Sequence, residues 1–238
     1  MGTIFISDLH LEAGRPDAIA RFEKLIREQG VAAESVYILG DLFEAWIGDD
    51  DTDPAMKPVI DALATLARAR VPCRIMHGNH DFLLGRRFEL ATGATLLGDY
   101  EVVDLYGERV LLTHGDLLCT DDTRYMELRR MVRDPAWQRG FLAKPIAERR
   151  AIARRIRSVS LEESAAKPEA IMDVNAATVE ETMRRFGVRR LLHGHTHRPA
   201  VHALTIDGEP AERIVLGAWH EHGYVLHWDE NGYRVELL

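Results

Sequence analysis

The sequence predicts a layered α/β fold in which a helical insertion interrupts a core of parallel strands. Three observations predict it. Five short apolar runs each end in a polar, glycine-rich signature: TIFIS before Asp8, VYIL before Gly40-Asp41, CRIM before His77, RVLLT before His114 and RRLL before His193. Stretches with apolar side chains at helical spacing, Asp17 to Glu28 and Met56 to Arg70, lie between the early runs, and each precedes one. Charge is also segregated, since residues 124–167 hold 12 Lys or Arg against 5 Asp or Glu, a net +7, within a chain of net charge −8.

Runs this short and apolar are buried strands. A strand, amphipathic helix, strand order places parallel strands side by side, with sites outside their carboxyl ends. The basic island reads as helices at Tyr125 to Arg133, at Trp137 to Leu142 after Pro135, and at Ile146 to Arg157. The core is therefore expected at 1–123 and 168–238, with the insertion at 124–167 and the chain rejoining the core near Ile171. The late segments VHALTID, ERIVLGAW, GYVLHWD and YRVELL, with turn signals at Asp207-Gly208 and Asn231-Gly232, suggest an antiparallel or mixed second sheet.

Composition bounds the function. With 238 residues, 46% hydrophobic and 29% charged, the chain needs no disulfide to hold a core. Cys73 and Cys119 form no CxxC pair and read as small buried apolar residues, in keeping with a reducing cytoplasm. The start MGTIFISDLH lacks a basic n-region, and no stretch nears about 18 unbroken apolar residues, so neither a signal peptide nor a membrane span is expected. The acidic balance argues against general nucleic-acid binding, and no obligate protein partner is evident.

The chemistry lies at the strand ends: Asp8-Leu9-His10, Gly40-Asp41, Gly78-Asn79-His80-Asp81, His114-Gly115-Asp116 and Gly194-His195-Thr196-His197. Each alone reads as a turn or helix cap. Together, mixed Asp, Asn and His donors without thiolates suit Mn, Fe or Zn and disfavour a closed structural zinc site. Two ions about 3.5–4 Å apart need one shared carboxylate, for which Asp41 is the natural choice, and glycines beside the donors permit tight turns. Phe43 and Trp46 read as packing, Asp49 to Asp51 as a solvated turn, and His77 and His193 as partners that orient ligands.

The order D-x-H, G-D, G-N-H, H-G-D, G-H-T-H resembles the calcineurin-like metallophosphoesterase superfamily. That resemblance implies a sandwich of two mixed β-sheets flanked by helices. FISDLHL, VYILGDLFEAWIGDD, HGDLLCTDD at 114–122, IMDVN at 171–175 and HGHTHRPAVH at 193–202 resemble, more narrowly, the UDP-2,3-diacylglucosamine pyrophosphatase family of lipid A biosynthesis. The resemblance runs from Thr3 to Trp219. It implies one metal on Asp8, His10, Asp41 and His197, and another on Asp41, Asn79, His114 and His195, with Mn2+ expected. It further implies substrate contacts at Asn79, His80, Asp122, Tyr125, Arg157, Ser160, Ser164, Lys167 and His195, and a helical lid over acyl chains. The family pattern is G-N-R-D, whereas this chain has His80, the residue of the wider superfamily, which is thought there to protonate the leaving group; several members carry Asn or Thr where this chain has Ser164.

The resemblance implies hydrolysis of UDP-2,3-diacylglucosamine to UMP and 2,3-diacylglucosamine 1-phosphate, by metal-activated water attack on the uridine-linked phosphorus. Asn79, His80 and His195 are the expected catalytic side chains, and no serine or cysteine nucleophile is evident. A phosphodiesterase or nucleotide pyrophosphatase with a water-soluble substrate is the alternative that His80 favours; a binding scaffold without activity ranks last, because no ligand position is lost. For the insertion two readings stay open. Trp137, Phe141, Leu142 and Ile146 among arginines, with Ile152 and Ile156 between Arg149, Arg150, Arg154 and Arg155, either face a lipid surface or pack on the core beneath a solvated charged face. A lipid substrate places the enzyme in the cytoplasm, peripheral on the inner membrane.

Overall fold

The computed structural model describes residues 2–51, 53–166 and 173–238, with the backbone alone over 159–166. The first half of the chain runs β1 (Thr3–Ile6), α1 (Pro16–Glu28), β2 (Ser35–Ile38), α2 (Lys57–Arg68), β3 (Cys73–Ile75), α3 (Arg86–Thr92), β4 (Thr95–Leu96), β5 (Glu101–Leu105) and β6 (Glu108–Leu112). It continues through α4 (Thr123–Val132), α5 (Pro135–Leu142), α6 (Ile146–Ala166), α7 (Ala176–Phe186), β7 (Arg190–His193), β8 (Ala200–Ile206), β9 (Glu209–Val215), β10 (Tyr224–Asp229) and β11 (Gly232–Leu237). Two mixed sheets form, in the orders β11-β10-β1-β2-β3-β4 and β5-β6-β7-β9-β8.

Alternation along the strands builds the layers, because neighbouring side chains leave a strand on opposite faces. Ile4, Ile6, Val36 and Ile38 meet Phe22, Leu25 and Ile26 of α1 and Val59, Leu63 and Leu66 of α2. Their neighbours Phe5 and Tyr37 face the other way and pack between the sheets with Val110, Leu112, Leu192 and Ile214. On the far side Leu111 and Leu191 cover Val179 and Met183 of α7. The result is a helix, sheet, sheet, helix sandwich. Cys73 and Cys119 are buried and free, and burial pushes both thiols up to about 12.

The late segments do not form one second sheet. β8 and β9 join β7, but β10 and β11 return to the first sheet, where Thr3, Ile4 and Phe5 pair with Trp228, His227 and Leu226. Sequence reading did not anticipate α3. Its first turn has no local side-chain cap, and its amides are met instead by Asp49, which accepts from the N–H groups of Gly85, Arg87 and Phe88 at 3.0 Å each.

The insertion forms α4, α5 and α6, with Asp122 and Asp134 as N-caps of the first two. The predicted rejoining point at Ile171 lies outside the described residues. α6 docks on a turn that had read as solvated. Arg149, 1% exposed, donates to Ile47 O at 2.6 Å and to Asp50 Oδ1 at 2.8 Å, and Arg150 pairs with Asp51. Asp49, Asp50 and Asp51 are thus a helix cap and two ion-pair seats. Gly48 permits the approach: a Cβ there would stand 2.5 Å from Arg149 Nη1. Around this contact Phe141, Trp137, Ile146 and Ile152 pack on Ile47, Leu83, Trp46 and Phe82, so that part of the apolar stripe lies against the core, whereas Leu142 is 40% exposed. Phe43 and Trp46 stack at 4.6 Å, as packing residues should.

Removing the guanidinium would leave Ile47 O buried without a donor, a loss of about 1.5–3 kcal/mol for a hydrogen bond to a charged group. Arg149→Ala should therefore speed amide exchange over 146–158 about tenfold or more, with amides of β1 and β2 unchanged. Hydrogen-exchange mass spectrometry checks this, and uniform acceleration throughout the chain would contradict local docking.

Candidate metal centre

The predicted ligands lie within four residues of the carboxyl ends of β1, β2, β3, β6 and β7, so both sheets contribute. Turning these ends toward one point bends the backbone out of its ordinary range. Asp8 (φ 56°), His10 (50°), Asp41 (52°), His195 (67°) and His197 (55°) all hold left-handed backbone. Residues with a Cβ resist that region by about 1–2 kcal/mol each. Hydrogen bonds hold the turns: Asp8 N donates to Gly40 O at 3.1 Å, and His10 N to Asp41 O at 3.0 Å. The carboxylates take part as well, since His195 N donates to Asp8 Oδ2 at 3.0 Å and His80 N to Asp41 Oδ1 at 2.9 Å.

The cluster has the pattern of a cation cradle. His10 Nε2 lies 3.3 Å from His197 Nε2 and 3.8 Å from Asp41 Oδ2. On the other side of Asp41, His114 Nε2 lies 3.5 Å from Asp41 Oδ2, and Asn79 Oδ1 stands 3.0 Å from His114 Nε2 and 2.9 Å from His195 Nδ1. Outward groups fix the tautomers. His114 Nδ1 donates to Leu39 O and His80 Nδ1 to Glu44 O, both at 2.8 Å, while His10 Nδ1 faces Glu44 Oε2 at 3.0 Å. In each ring Nδ1 is thus turned outward and Nε2 toward the cluster. Asp8-His10-His197, His10-Asp41-His80 and Asp41-His114-His195 each bring three donor atoms within 4.8 Å of one another. Such a donor set fits divalent cations.

Electrostatics balances the buried charge. Burial opposes ionisation of Asp8 and Asp41, yet His197 and His114 beside them hold both carboxyls below the usual range. Burial likewise opposes a charged His10, but Glu44, Asp41 and Asp8 raise it to about 9. His195, buried beside His114, is lowered to about 4 and stays neutral.

Of the remaining predicted residues, Asp122 accepts from Tyr125 N at 3.1 Å as the cap of α4. Tyr125 lies with its ring 5.8 Å from that of His195, and its hydroxyl donates to Asp116 Oδ2 at 2.7 Å. Arg157 reaches in from α6, ion-paired with Glu44 and with Nη1 3.3 Å from His80 Nδ1. Lys167 and the side chains of Ser160 and Ser164 lie outside the described residues. The expectation for His77 and His193 is corrected: His77 Nε2 donates to Leu84 O at 2.8 Å, while His193 Nδ1 donates to Gly194 O and its Nε2 accepts from Arg213. Neither makes a hydrogen bond to a ligand side chain.

Three carboxylates were missed as organisers. Glu44 stands against His10. Asp116, held well below the usual range despite burial by His114 and Arg129, anchors Tyr125 and Arg129. Asp81, raised by burial and by Asp41, accepts from Leu42 N and Gly78 N at 2.8 Å each and ties the β2 and β3 ends together. Asp81 and Asp116 sat inside the quoted signatures; Glu44 follows Asp41 by three residues.

A calcineurin-like phosphoesterase family model matches residues 1–199. Among proteins named UDP-2,3-diacylglucosamine hydrolase, that of Cellvibrio japonicus (strain Ueda107) is 51% identical over 226 residues, covering 95% of this chain and 94% of its own. That of Pseudomonas paraeruginosa (strain DSM 24068 / PA7) is 50% identical over 234 residues, 98% of each chain. The chain belongs to the UDP-2,3-diacylglucosamine hydrolase family of calcineurin-like phosphoesterases. A solved structure of an archaeal phosphodiesterase, 14% identical with a TM-score of 0.50 over the full length of both chains, shares the fold. As a calcineurin-like phosphoesterase the chain is a metal-dependent hydrolase, and its Asp and His clusters are suited to the metal. Among the described residues no helix is long and apolar enough to cross a membrane.

In this phosphoesterase Gly78 lies directly over Asp41, and a Cβ at 78 would stand 1.9 Å from Asp41 Oδ1 and 2.3 Å from Asp41 N. Gly78→Ala should displace Asp41, cost about 1–3 kcal/mol of stability, and strip bound divalent metal. Gly140→Ala, where a Cβ meets nothing within 4 Å, is the control that should keep both. Thermal unfolding and metal analysis of the two proteins decide.

Proposed function

We propose that the chain hydrolyses UDP-2,3-diacylglucosamine to UMP and 2,3-diacylglucosamine 1-phosphate with two divalent ions, most simply Mn2+. The observation that carries this is the gathering of six donor residues around the carboxylate Asp41, in a chain half identical over nearly its whole length to hydrolases named for that substrate. Asp8, His10, Asp41 and His197 would hold one ion, and Asp41, Asn79, His114 and His195 the other. When bound, the ions lower the pKa of water and neutralise phosphoryl oxygens. His80, with its Nδ1 proton on Glu44 O, offers Nε2 to the leaving sugar phosphate and, when protonated, gives it a proton. His195 and Asn79 hold the phosphoryl group in line, and Arg157 meets its negative charge from α6.

The helices of 124–167 act as a lid over the acyl chains. Arg154 and Arg155 are exposed on α6, which suits a peripheral position on an anionic membrane surface in the cytoplasm; Asp122, Ser160, Ser164 and Lys167 complete the substrate contacts. A water-soluble diester or nucleotide is the second reading. His80 in place of arginine favours it, since histidine lacks the permanent, bidentate charge of a guanidinium.

After chelation and return of Mn2+, purified protein should release UMP from UDP-2,3-diacylglucosamine with kcat/KM about 100-fold or more above that for bis-p-nitrophenyl phosphate. Diester turnover without UMP release would move the protein to the second reading. Asp41→Ala should stay folded by circular dichroism and lose metal and turnover by about 1,000-fold or more; an active, fully metallated variant would overturn the ligand assignment. Leu142, 40% exposed on α5, made polar should raise KM for the acylated substrate, and unchanged KM would count against the lid.

A further inference from the structure

Glu44 touches both the donor cluster and the insertion. Its side chain is 11% exposed, with Oε2 3.0 Å from His10 Nδ1 and 4.0 Å from His80 Nδ1, while Oε1 is ion-paired with Arg157 Nη2. Its backbone is equally committed: N donates to Leu11 O at 3.1 Å, and O accepts from His80 Nδ1 at 2.8 Å. A carboxylate this buried needs a compensating charge or donor on each oxygen. One oxygen finds it on a ligand of the core, the other on the sixth helix.

We infer that Glu44 is a positioning residue with two duties. Oε2 holds the Nδ1–H of His10 and so aims its Nε2 at the cation, and Oε1 seats Arg157 and so fixes α6 over the site. The inference rests on the metal reading above for its first duty only. A carboxylate behind a ligating imidazole typically supports metal affinity by 10–100-fold. The second duty makes the docking of the insertion depend on the residue that orients a ligand.

The test compares Glu44→Ala, Glu44→Gln and Arg157→Ala in the intact chain by Mn2+ titration, hydrogen exchange over 146–158, and separate kcat and KM. Glu44→Ala should weaken one of two Mn2+ sites by about 10–100-fold and leave the other as it was. Glu44→Gln keeps an oxygen for His10 but turns an NH2 toward Arg157; it should restore Mn2+ affinity to within about threefold while exchange over 146–158 accelerates and KM rises. Arg157→Ala should reproduce the exchange and KM effects with Mn2+ affinity intact. Glu44→Asp, which keeps the charge and withdraws it by one methylene, should behave as the alanine variant and replaces it if that protein does not fold.

Wild-type Mn2+ affinity in Glu44→Ala, or equal loss of affinity in Arg157→Ala, would overturn the first duty. Unchanged exchange in Glu44→Gln would overturn the second. Should the wild-type chain take up no divalent cation, the metal reading and the first duty fail together, and the seat for Arg157 is still judged by exchange in the metal-free protein.

Discussion

Everything at this centre depends on holding left-handed backbone at residues that are not glycine. Five of the candidate ligand positions carry it, and each resists it by about 1–2 kcal/mol. The strain persists because the turns are bonded to one another rather than to themselves. Asp8 is tied to Gly40 and to His195, His10 to Asp41, and Asp41 to His80. Strand ends from both sheets thereby fix each other, and the cluster is a property of the sandwich as a whole. Strain of this kind concentrates at functional sites, where the surrounding structure over-determines it.

Carboxylates outside the candidate ligand set carry the next level of organisation. Asp81 joins two loops of the core, whereas Glu44, Asp50 and Asp116 each receive an arginine from the insertion: Arg157, Arg149 and Arg129. This explains the segregation of charge along the chain, since part of the island's positive charge answers acidic residues of the core. Phe141, 6% exposed, and Trp137 are part of the same attachment. Their packing leaves Arg130, Arg139, Arg154 and Arg155 among the charges exposed to solvent.

The strands that lead into the cluster were legible because burial on both faces makes them short and continuously apolar, and because their ends carry the Asp, Asn and His donors that the fold brings together. α1 and α2 were legible from spacing. What lay hidden depends on distant partners. The cap of α3 is Asp49, 36 residues before Gly85, and no local pattern reports such a bond. Asp50 and Asp51 looked like part of a solvated turn because their partners, Arg149 and Arg150, lie 99 residues further on. The return of β10 to β1 was hidden for a different reason: alternation shows that a strand is half-buried and says nothing of which edge it joins. Ring orientation, which decides how His10, His80 and His114 present their nitrogens, depends on carbonyls and on Glu44 and is invisible in motif spacing.

The pairing of β1 with β10 brings the opening strand, Thr3–Ile6, against one that begins at Tyr224. During synthesis β1 can align with β2 early, but its other edge waits until Tyr224–Asp229 have been made. The edge it keeps open meanwhile is TIFI, a short β-prone stretch without charge. Closing so long a loop is slow, and β10 therefore acts as a late fastener whose arrival ends the period in which a nascent chain can pair with a neighbour.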